Sequence, residues 1–338
     1  MRRLLVLGAG TAGTTVVNKL RRRLPRSQWR VTVVEATDRH YYQPGYLFLP
    51  FGGYTPAQVA KPVRKLITRG VDLIRGRVDR VILAENRVLL HDGRSLPYDY
   101  LVIATGVSPR PDQTPGMLDG GQWRRSIFDF YTFDGALALA KALDNFDAGR
   151  LVVHITDMPI KCPVAPLEFA FLAEDFFGRR GTRDKIELTY ATPLPGAFTK
   201  PIAAARLGTM LDERNIALES DFLVERVDDT ALVSYDDRRV PFDLLVTVPL
   251  NMGAEYVARS GLGDELNLVP VDRGTLLARL GQRFRHRRRQ RHPHVEGRLG
   301  RAFRGRGLHH QLPCVRLRAA DDRPIRRARQ LLRRVRPR

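Results

Sequence analysis

Residues 4–13 read Leu-Leu-Val-Leu-Gly-Ala-Gly-Thr-Ala-Gly. A short apolar run that stops at a glycine has the pattern of a buried parallel strand. From Thr11 to about Arg23 there are few breakers, and Val16, Val17 and Leu20 recur at helical spacing. Gly8, Gly10 and Gly13 therefore form G-x-G-x-x-G between a strand and a helix. The three glycines differ in what they do. Gly8 makes the tight turn, Gly10 lets backbone approach a pyrophosphate at the helix N-terminus, and Gly13 lets the helix pack close to the strand. A second strand, 30–35, completes a βαβ unit and ends on Glu35, 22 residues after Gly13. A carboxylate there accepts hydrogen bonds from a ribose diol and repels a 2′-phosphate. The signature is that of FAD or NAD rather than NADP.

Further along, the chain alternates strands and helices. A helix is predicted over 58–68, strands at 78–83 and 87–91 about a turn at Glu85-Asn86, and a buried strand at 99–105 closed by Gly106. The Pro/Gly-rich stretch 107–122 marks a boundary. Beyond it come a helix over 133–144 with Asp134 near its cap, a strand at 151–156, a helix at 166–178, a strand at 185–192, a helix at 202–214 and a strand at 240–248. Such alternation implies an α/β protein with parallel sheets. A second glycine motif is expected after strand 151–156 if a nicotinamide binds there. Residues 154–166 read HITDMPIKCPVAP, with no glycine. This weighs against a pyridine nucleotide as electron donor.

The chain has 338 residues, 43% of them hydrophobic, and two cysteines. Those figures suit two domains with real cores in a reducing, cytoplasmic setting, and exclude a disulfide scaffold. No run approaches the roughly 18 apolar residues of a membrane span. The net charge of +21 is unevenly spread. Residues 281–338 carry 20 Arg against 3 acids, a net +17, whereas residues 1–280 carry 37 basic against 33 acidic residues, a net +4. An arginine arm of this kind binds polyanions without specificity. With only Phe284 and Phe303 among the arginines it lacks the interleaved aromatics of a single-strand binder, and no specific nucleic-acid partner is expected. No metal site is expected either.

Leu101-Val102-Ile103-Ala104-Thr105-Gly106 is similar to the second marker of two-dinucleotide-fold flavoproteins, where the chain returns beside the FAD pyrophosphate. By the same likeness Val78 lies where backbone meets the adenine. More of the chain resembles sulfide:quinone oxidoreductases within the FAD-dependent pyridine nucleotide-disulfide oxidoreductases. The carrying segments are LLVLGAGTAGTTVVNKL, HYYQPGYLFLPFG, YDYLVIATG, IKCPVAPLEFAFLAEDFF, TPLPGAFTKP, and FDLLVTVPLNMGAE followed by VPVDRGTL, spread over residues 4–276. The resemblance implies two Rossmann-like dinucleotide-binding domains in the three-layer ββα arrangement: 1–110 and 111–250, with 251–280 returning toward the FAD domain and 281–338 an irregular, disordered tail. It also implies non-covalent FAD held by Gly8, Gly10, Gly13, Glu35, Val78, Ala104, Thr105 and Gly106, a sulfide-class donor, a quinone acceptor and peripheral contact with a membrane. A sister activity with NADH as donor is the alternative.

Cys162 matches the family's redox cysteine. A thiolate is the useful nucleophile, and Lys161 and the helix start at 166 favour negative charge there. A small buried structural cysteine is the competing reading. His40, Tyr41, Tyr42 and Pro44 match a loop near the flavin, with simple packing as the simpler role. Lys200 could polarise a flavin or quinone carbonyl, or be a surface lysine.

The family's Gly-Asp motif should follow VPVDRGTL and does not. Back-translation offers a reason. Gly281–Arg289 can be written GGC CAA CGT TTT CGT CAT CGG CGA CGC, and dropping the first base yields ANVFVIGDA, the missing segment. Pro324–Arg336 shifts likewise to RFDGHANCFVESG. The tail from about 277–281 onward therefore has the character of a shifted reading frame in a GC-rich gene, where arginine codons abound. In the present frame the Gly-Asp pair has become Arg287 and Arg288, a second cysteine falls at Leu331, and Cys314 is an accident. The expectation is weak FAD binding and impaired activity.

Overall fold

The computed structural model describes residues 1–272 and 276–278 and the backbone of 315–318. The chain forms two compact units, one of Met1–His40, Pro62–Gly106 and Gly253–Arg338, the other of Tyr41–Lys61 and Val107–Met252. These bounds differ from the expected division at 110/111 and 250/251: the loop 41–61 goes with the second unit, and the changes fall at 106/107 and 252/253.

In the first unit, β1 (Arg2–Leu7) leads through the glycine turn to α1 (Thr11–Arg21) and β2 (Trp29–Glu35). β3 (Asp72–Arg75) flanks β2, and β4 (Val78–Ile82), β5 (Arg87–Leu90) and β6 (Ser95–Pro97) form a separate antiparallel sheet before β7 (Tyr100–Ile103) pairs with β1. The parallel register sets Leu4 opposite Val31 and Tyr100, and Leu7 opposite Val34 and Ile103. Period-two geometry sends alternate residues to opposite faces. Leu4, Val6, Val31, Val33 and Val102 meet Val16, Val17 and Leu20 of α1. Leu5, Leu7, Val34, Leu101 and Ile103 meet Val78, Val81, Val88 and Leu90 of the antiparallel sheet. Burial on both faces is why these strands are continuously apolar, and it produces the three layers expected.

The predicted helix at 58–68 is not formed. A four-residue helix, Pro56–Val59, gives way to a strand Ala60–Pro62 and a 3₁₀ turn Val63–Leu66. Pro62 has no N–H to donate and pushes Lys61 out of the helical region.

The second unit repeats the plan with β8 (Ile127–Phe128), α2 (Phe133–Asp144), β9 (Gly149–Ile155), α3 (Ala165–Arg180), β10 (Ile186–Ala191), α4 (Pro201–Asp212) and β11 (Ile216–Glu219). An antiparallel sheet follows of β12 (Val224–Val227), β13 (Ala231–Ser234) and β14 (Arg239–Pro241), then β15 (Leu244–Val248). The parallel order is β8-β15-β9-β10-β11. Leu139, Phe169, Ala173 and Phe177 cover one face, and Phe222, Leu232 and Phe242 the other. The single strand expected over 240–248 is split between β14 and β15 at Pro241-Phe242-Asp243, where the Asp243 carboxylate accepts from the Arg150 N–H at 2.8 Å. The cap of α2 is Thr132, whose hydroxyl accepts from the Gly135 N–H at 3.1 Å, and Asp134, expected near the cap, lies in the first turn.

The chain then returns to the first unit. α5 (Glu255–Arg259) and Leu262 pack on the antiparallel sheet through Tyr256 and Val257. β16 (Val315–Arg318) pairs antiparallel with β7, Val315 opposite Ile103 and Arg318 opposite Tyr100. The tail was expected to be irregular throughout, and this strand departs from that; 281–314 and 319–338 lie outside the described residues. Among the described residues, no helix is long and apolar enough to cross a membrane, and no three His, Cys, Asp or Glu side chains are grouped as a metal would need.

Candidate functional site

The glycine turn has the geometry of a dinucleotide cradle. Gly8 adopts φ +92°, and a Cβ there would meet the Ala104 carbonyl oxygen at 2.5 Å. A Cβ on Gly13 would fall 1.8 Å from the Gly8 carbonyl oxygen, so α1 sits against the turn as closely as backbone allows. Gly10 caps α1, and a Cβ there would meet nothing within 4 Å. The two blocked glycines shape the loop; the open one leaves free space at a helix N-terminus with no acid in its first turn, the setting in which an anion is stabilised. These residues fit a dinucleotide.

Glu35 closes the far side of the turn. One carboxylate oxygen accepts from the Ala9 N–H at 2.6 Å and the other from the Thr37 N–H at 3.0 Å. The first of these oxygens has no second donor and keeps a lone pair for a ribose hydroxyl, while the other also accepts from the Thr37 hydroxyl at 3.3 Å. The Gly76 N–H donates to the Glu35 carbonyl at 3.0 Å, which sets the segment leading to Val78 beside Glu35; Val78 itself is buried at the start of β4. At the end of β7, Ala104 donates to Leu7 at 2.8 Å, Thr105 shares a 3.1 Å hydrogen bond with the Tyr256 hydroxyl, and Gly106 has φ +67°. Burial pushes the Tyr256 phenol up, keeping it protonated. Gly8, Gly10, Gly13, Glu35, Ala104, Thr105 and Gly106 are thus brought together. His40 also reaches the turn, its Nδ1 2.9 Å from the Ala9 carbonyl oxygen. Sequence reading placed His40 only by resemblance.

In the second unit, Cys162 stands in the loop between β9 and α3 as a free, half-buried thiol. Its carbonyl accepts from the Ala165 N–H at 3.2 Å and from the Tyr131 hydroxyl at 2.7 Å. The Tyr131 carbonyl in turn accepts from the Lys161 ammonium at 3.0 Å, and that ammonium lies 5.4 Å from the Tyr131 ring centre. Burial drives the Tyr131 phenol far up, and brings Lys161 down to about 8. Tyr131 is held by a turn built on Asp129, a fully buried carboxylate. It accepts from the Tyr131 and Thr132 N–H groups at 2.9 and 2.7 Å and pairs with Arg124 at 2.9 Å. Sequence reading missed both Asp129 and Tyr131. Their signal was faint, an Asp-Phe-Tyr-Thr turn before a helix with Thr132 available as cap.

Tyr41 packs against Tyr46 and Phe133 with ring centres 6.2 and 5.2 Å apart, while Tyr42 and Pro44 are exposed. Lys200 is exposed at the N-cap of α4. Arg287, Arg288, Cys314 and Leu331 lie outside the described residues.

Residues 2–153 match the family model described as pyridine nucleotide-disulphide oxidoreductase. The chain is 26% identical over 281 residues to the mitochondrial sulfide:quinone oxidoreductase of Mus musculus, covering 81% of this chain and 62% of that protein. It is 27% identical over 274 residues to the sulfide-quinone reductase of Aquifex aeolicus, covering 76% and 60%. The solved sulfide:quinone oxidoreductase of Aquifex aeolicus superposes with a TM-score of 0.72 at 20% identity, over 81% of this chain and 65% of that one. The chain spans about three fifths of the length of the two curated relatives.

Proposed function

We propose that the chain, residues 2–153 of which match the pyridine nucleotide-disulphide oxidoreductase model, is an FAD-dependent oxidoreductase of two parallel-sheet units that descends from a sulfide:quinone oxidoreductase. In this reading electrons pass from sulfide or a related sulfur donor, through the Cys162 thiol, to a quinone. The observation that carries the reading is the anchored Cys162 loop, tied by Tyr131 and Lys161 ahead of α3, where a nicotinamide site needs glycines.

The roles follow from local chemistry. FAD, when bound, supplies a two-electron acceptor between donor and quinone. Gly8, Gly10 and Gly13 would give its pyrophosphate backbone N–H groups and the N-terminus of α1. Glu35 would accept from its ribose, and Val78, Ala104, Thr105 and Gly106 would line the same pocket. Cys162 would be the thiol that takes up the donor's sulfur, with bound FAD supplying the two-electron acceptor that the new S–S bond requires, and the neighbouring Lys161 would favour the thiolate. The quinone places the protein against a membrane surface, on the cytoplasmic side, as a peripheral partner.

With this C-terminal sequence, the polypeptide is impaired in that activity. The Gly-Asp pair that would close the FAD site is Arg287-Arg288, and the position of a second thiol is Leu331. The test is anaerobic mixing of FAD-loaded protein with sulfide and, separately, with NADH. Bleaching of the flavin by sulfide alone, lost in Cys162→Ser, is expected. Bleaching by NADH alone would assign the donor to the nicotinamide class instead.

A further inference from the structure

The basic residues of the first unit collect along α1. Residues 1–71 hold 13 Lys and Arg against two acids, Glu35 and Asp38. Glu35 is held in the glycine turn, and the Asp38 carbonyl accepts from the Val63 N–H at 2.9 Å. Asn18 of α1 donates to the Leu66 carbonyl at 2.7 Å and accepts from the Thr68 N–H at 2.9 Å. Arg26 donates to the Arg69 carbonyl at 2.9 Å. These bonds lay the segment 63–69 along the last turns of α1. Val63 and Ile67 enter the core beneath, which leaves Arg64, Lys65 and Leu66 outward. Arg22, Arg23, Arg26, Arg64, Lys65 and Arg69 are exposed on this flank, and none forms an ion pair among the described residues. Leu66 is 37% exposed among them. Asp72, the next acid in the chain, is taken by Arg30 at 2.7 Å.

The second unit has the opposite balance, 17 Lys and Arg against 22 acids, and it carries an exposed apolar pair. Tyr235, in the turn between β13 and β14, is 72% exposed, and Leu223, just ahead of β12, is 43% exposed. The Tyr235 N–H donates to the Leu223 carbonyl at 3.0 Å, so the two residues stand side by side. Asp221, Asp236 and Asp237 are exposed next to them in the chain. Arg238 pairs with Asp236 at 3.0 Å, donates to the Ser220 and Asp221 carbonyls at 3.1 and 2.7 Å, and lies over the Phe222 ring. Asp221 and Asp237 form no ion pair among the described residues.

An exposed tyrosine and leucine bordered by unpaired charge have the composition of a contact surface. Six like charges on one flank repel one another, and an anionic surface relieves that repulsion. The chain itself supplies such a surface. We propose that copies of this chain associate, the basic flank of α1 in one copy against the Leu223–Tyr235 surface of the next. Leu66 meets the apolar pair, and Lys65 with its neighbouring arginines meets Asp221, Asp236 and Asp237. No residue assigned to FAD or to the sulfur donor takes part, so this contact and the oxidoreductase reading stand or fall separately.

Sedimentation velocity of the full chain should show concentration-dependent association that weakens as salt rises. Arg64→Glu, Lys65→Glu and Arg69→Glu together should weaken it by about tenfold or more, and so should Tyr235→Lys with Asp237→Asn. Mixing the two variants should restore it, since each keeps the surface that the other lacks. The arginine tail is intact in both, so association that survives in the first variant belongs to the tail and overturns the proposal. A zero-length carbodiimide needs no variant. With light and heavy copies mixed, it should join the Lys65 amine to Asp236 or Asp237 across copies. A tail lying on the acidic surface cannot give such a link, because residues 281–338 hold no lysine. A parent that stays monomeric, or that associates without this link, sinks the proposal. So does a monomeric parent whose Lys65 is shielded from acetylation by anionic vesicles, which would give the basic flank to lipid instead.

Discussion

His154 lies on β9 with no exposed surface, its Nδ1 3.0 Å from the Thr247 hydroxyl on β15 and its Nε2 without a partner. Burial lowers its pKa from 6.5 to about 3, so the folded chain keeps it neutral where the unfolded chain would protonate it. Its contribution to stability is full above pH 6.5 and drains away as pH falls toward 3, at about 1.4 kcal/mol per pH unit. Urea unfolding at pH 7 and pH 5 should show this slope in the parent, and His154→Gln should flatten it; an equal slope in both refutes the assignment. Asp129 makes a second prediction. Asp129→Ala strands three donors and one side of a buried ion pair, and should cost about 3 kcal/mol, measured by the same unfolding. Neither residue was legible in the sequence. A histidine inside an apolar strand pattern and an aspartate in a turn gain their meaning only from partners on other elements, Thr247 and Arg124 among them.

At the scale of elements, β1, the glycine turn and α1 were legible because local constraints coincide there. The apolar run, the three glycines and the acid after β2 all point to one geometry, and Gly8 and Gly13 meet backbone where a side chain would sit. The failures have equally local causes. The apolar spacing over 58–68 outweighed Pro62, and the apolar residues of 240–248 hid the break at Phe242-Asp243 between β14 and β15. The glycines separate folding from binding in one experiment. Gly13→Ala pushes a methyl into the Gly8 carbonyl and should lower the thermal midpoint by several degrees, about 2 kcal/mol or more. Gly10→Ala meets open space and should leave the midpoint within about a degree. It should still weaken FAD binding by tenfold or more, since the methyl enters the space the pyrophosphate needs. Calorimetry of the two variants, with flavin titration of the second, decides whether the open face of the turn is the binding face.

Over the whole molecule, the charge divides where the described structure does. Residues 1–280 carry +4, build both units and supply each residue of the proposed sites, whereas 281–338 carry +17 and contribute one described strand, β16. β16 runs antiparallel to β7 in a sheet whose other pairings are parallel, beside the strand that leads to Ala104, Thr105 and Gly106. The shifted-frame reading makes a specific demand of this region. If the arginines come from a displaced frame, removing the first base of codon 281 restores a segment ending in Ile-Gly-Asp, and a carboxylate returns where Arg288 now stands. Two arginines attract a pyrophosphate without supplying the acceptor that a ribityl hydroxyl needs. The 338-residue chain should therefore purify with well under one flavin per polypeptide, and should bind random and defined DNA alike, with a steep loss in salt. The frame-restored chain should carry flavin near one to one and lose that DNA binding. Absorbance of released flavin against protein concentration, on both chains prepared alike, makes the comparison. Equal, stoichiometric flavin in the two would show that the arginine tail closes the site by other means, and would remove the reason for reading it as displaced.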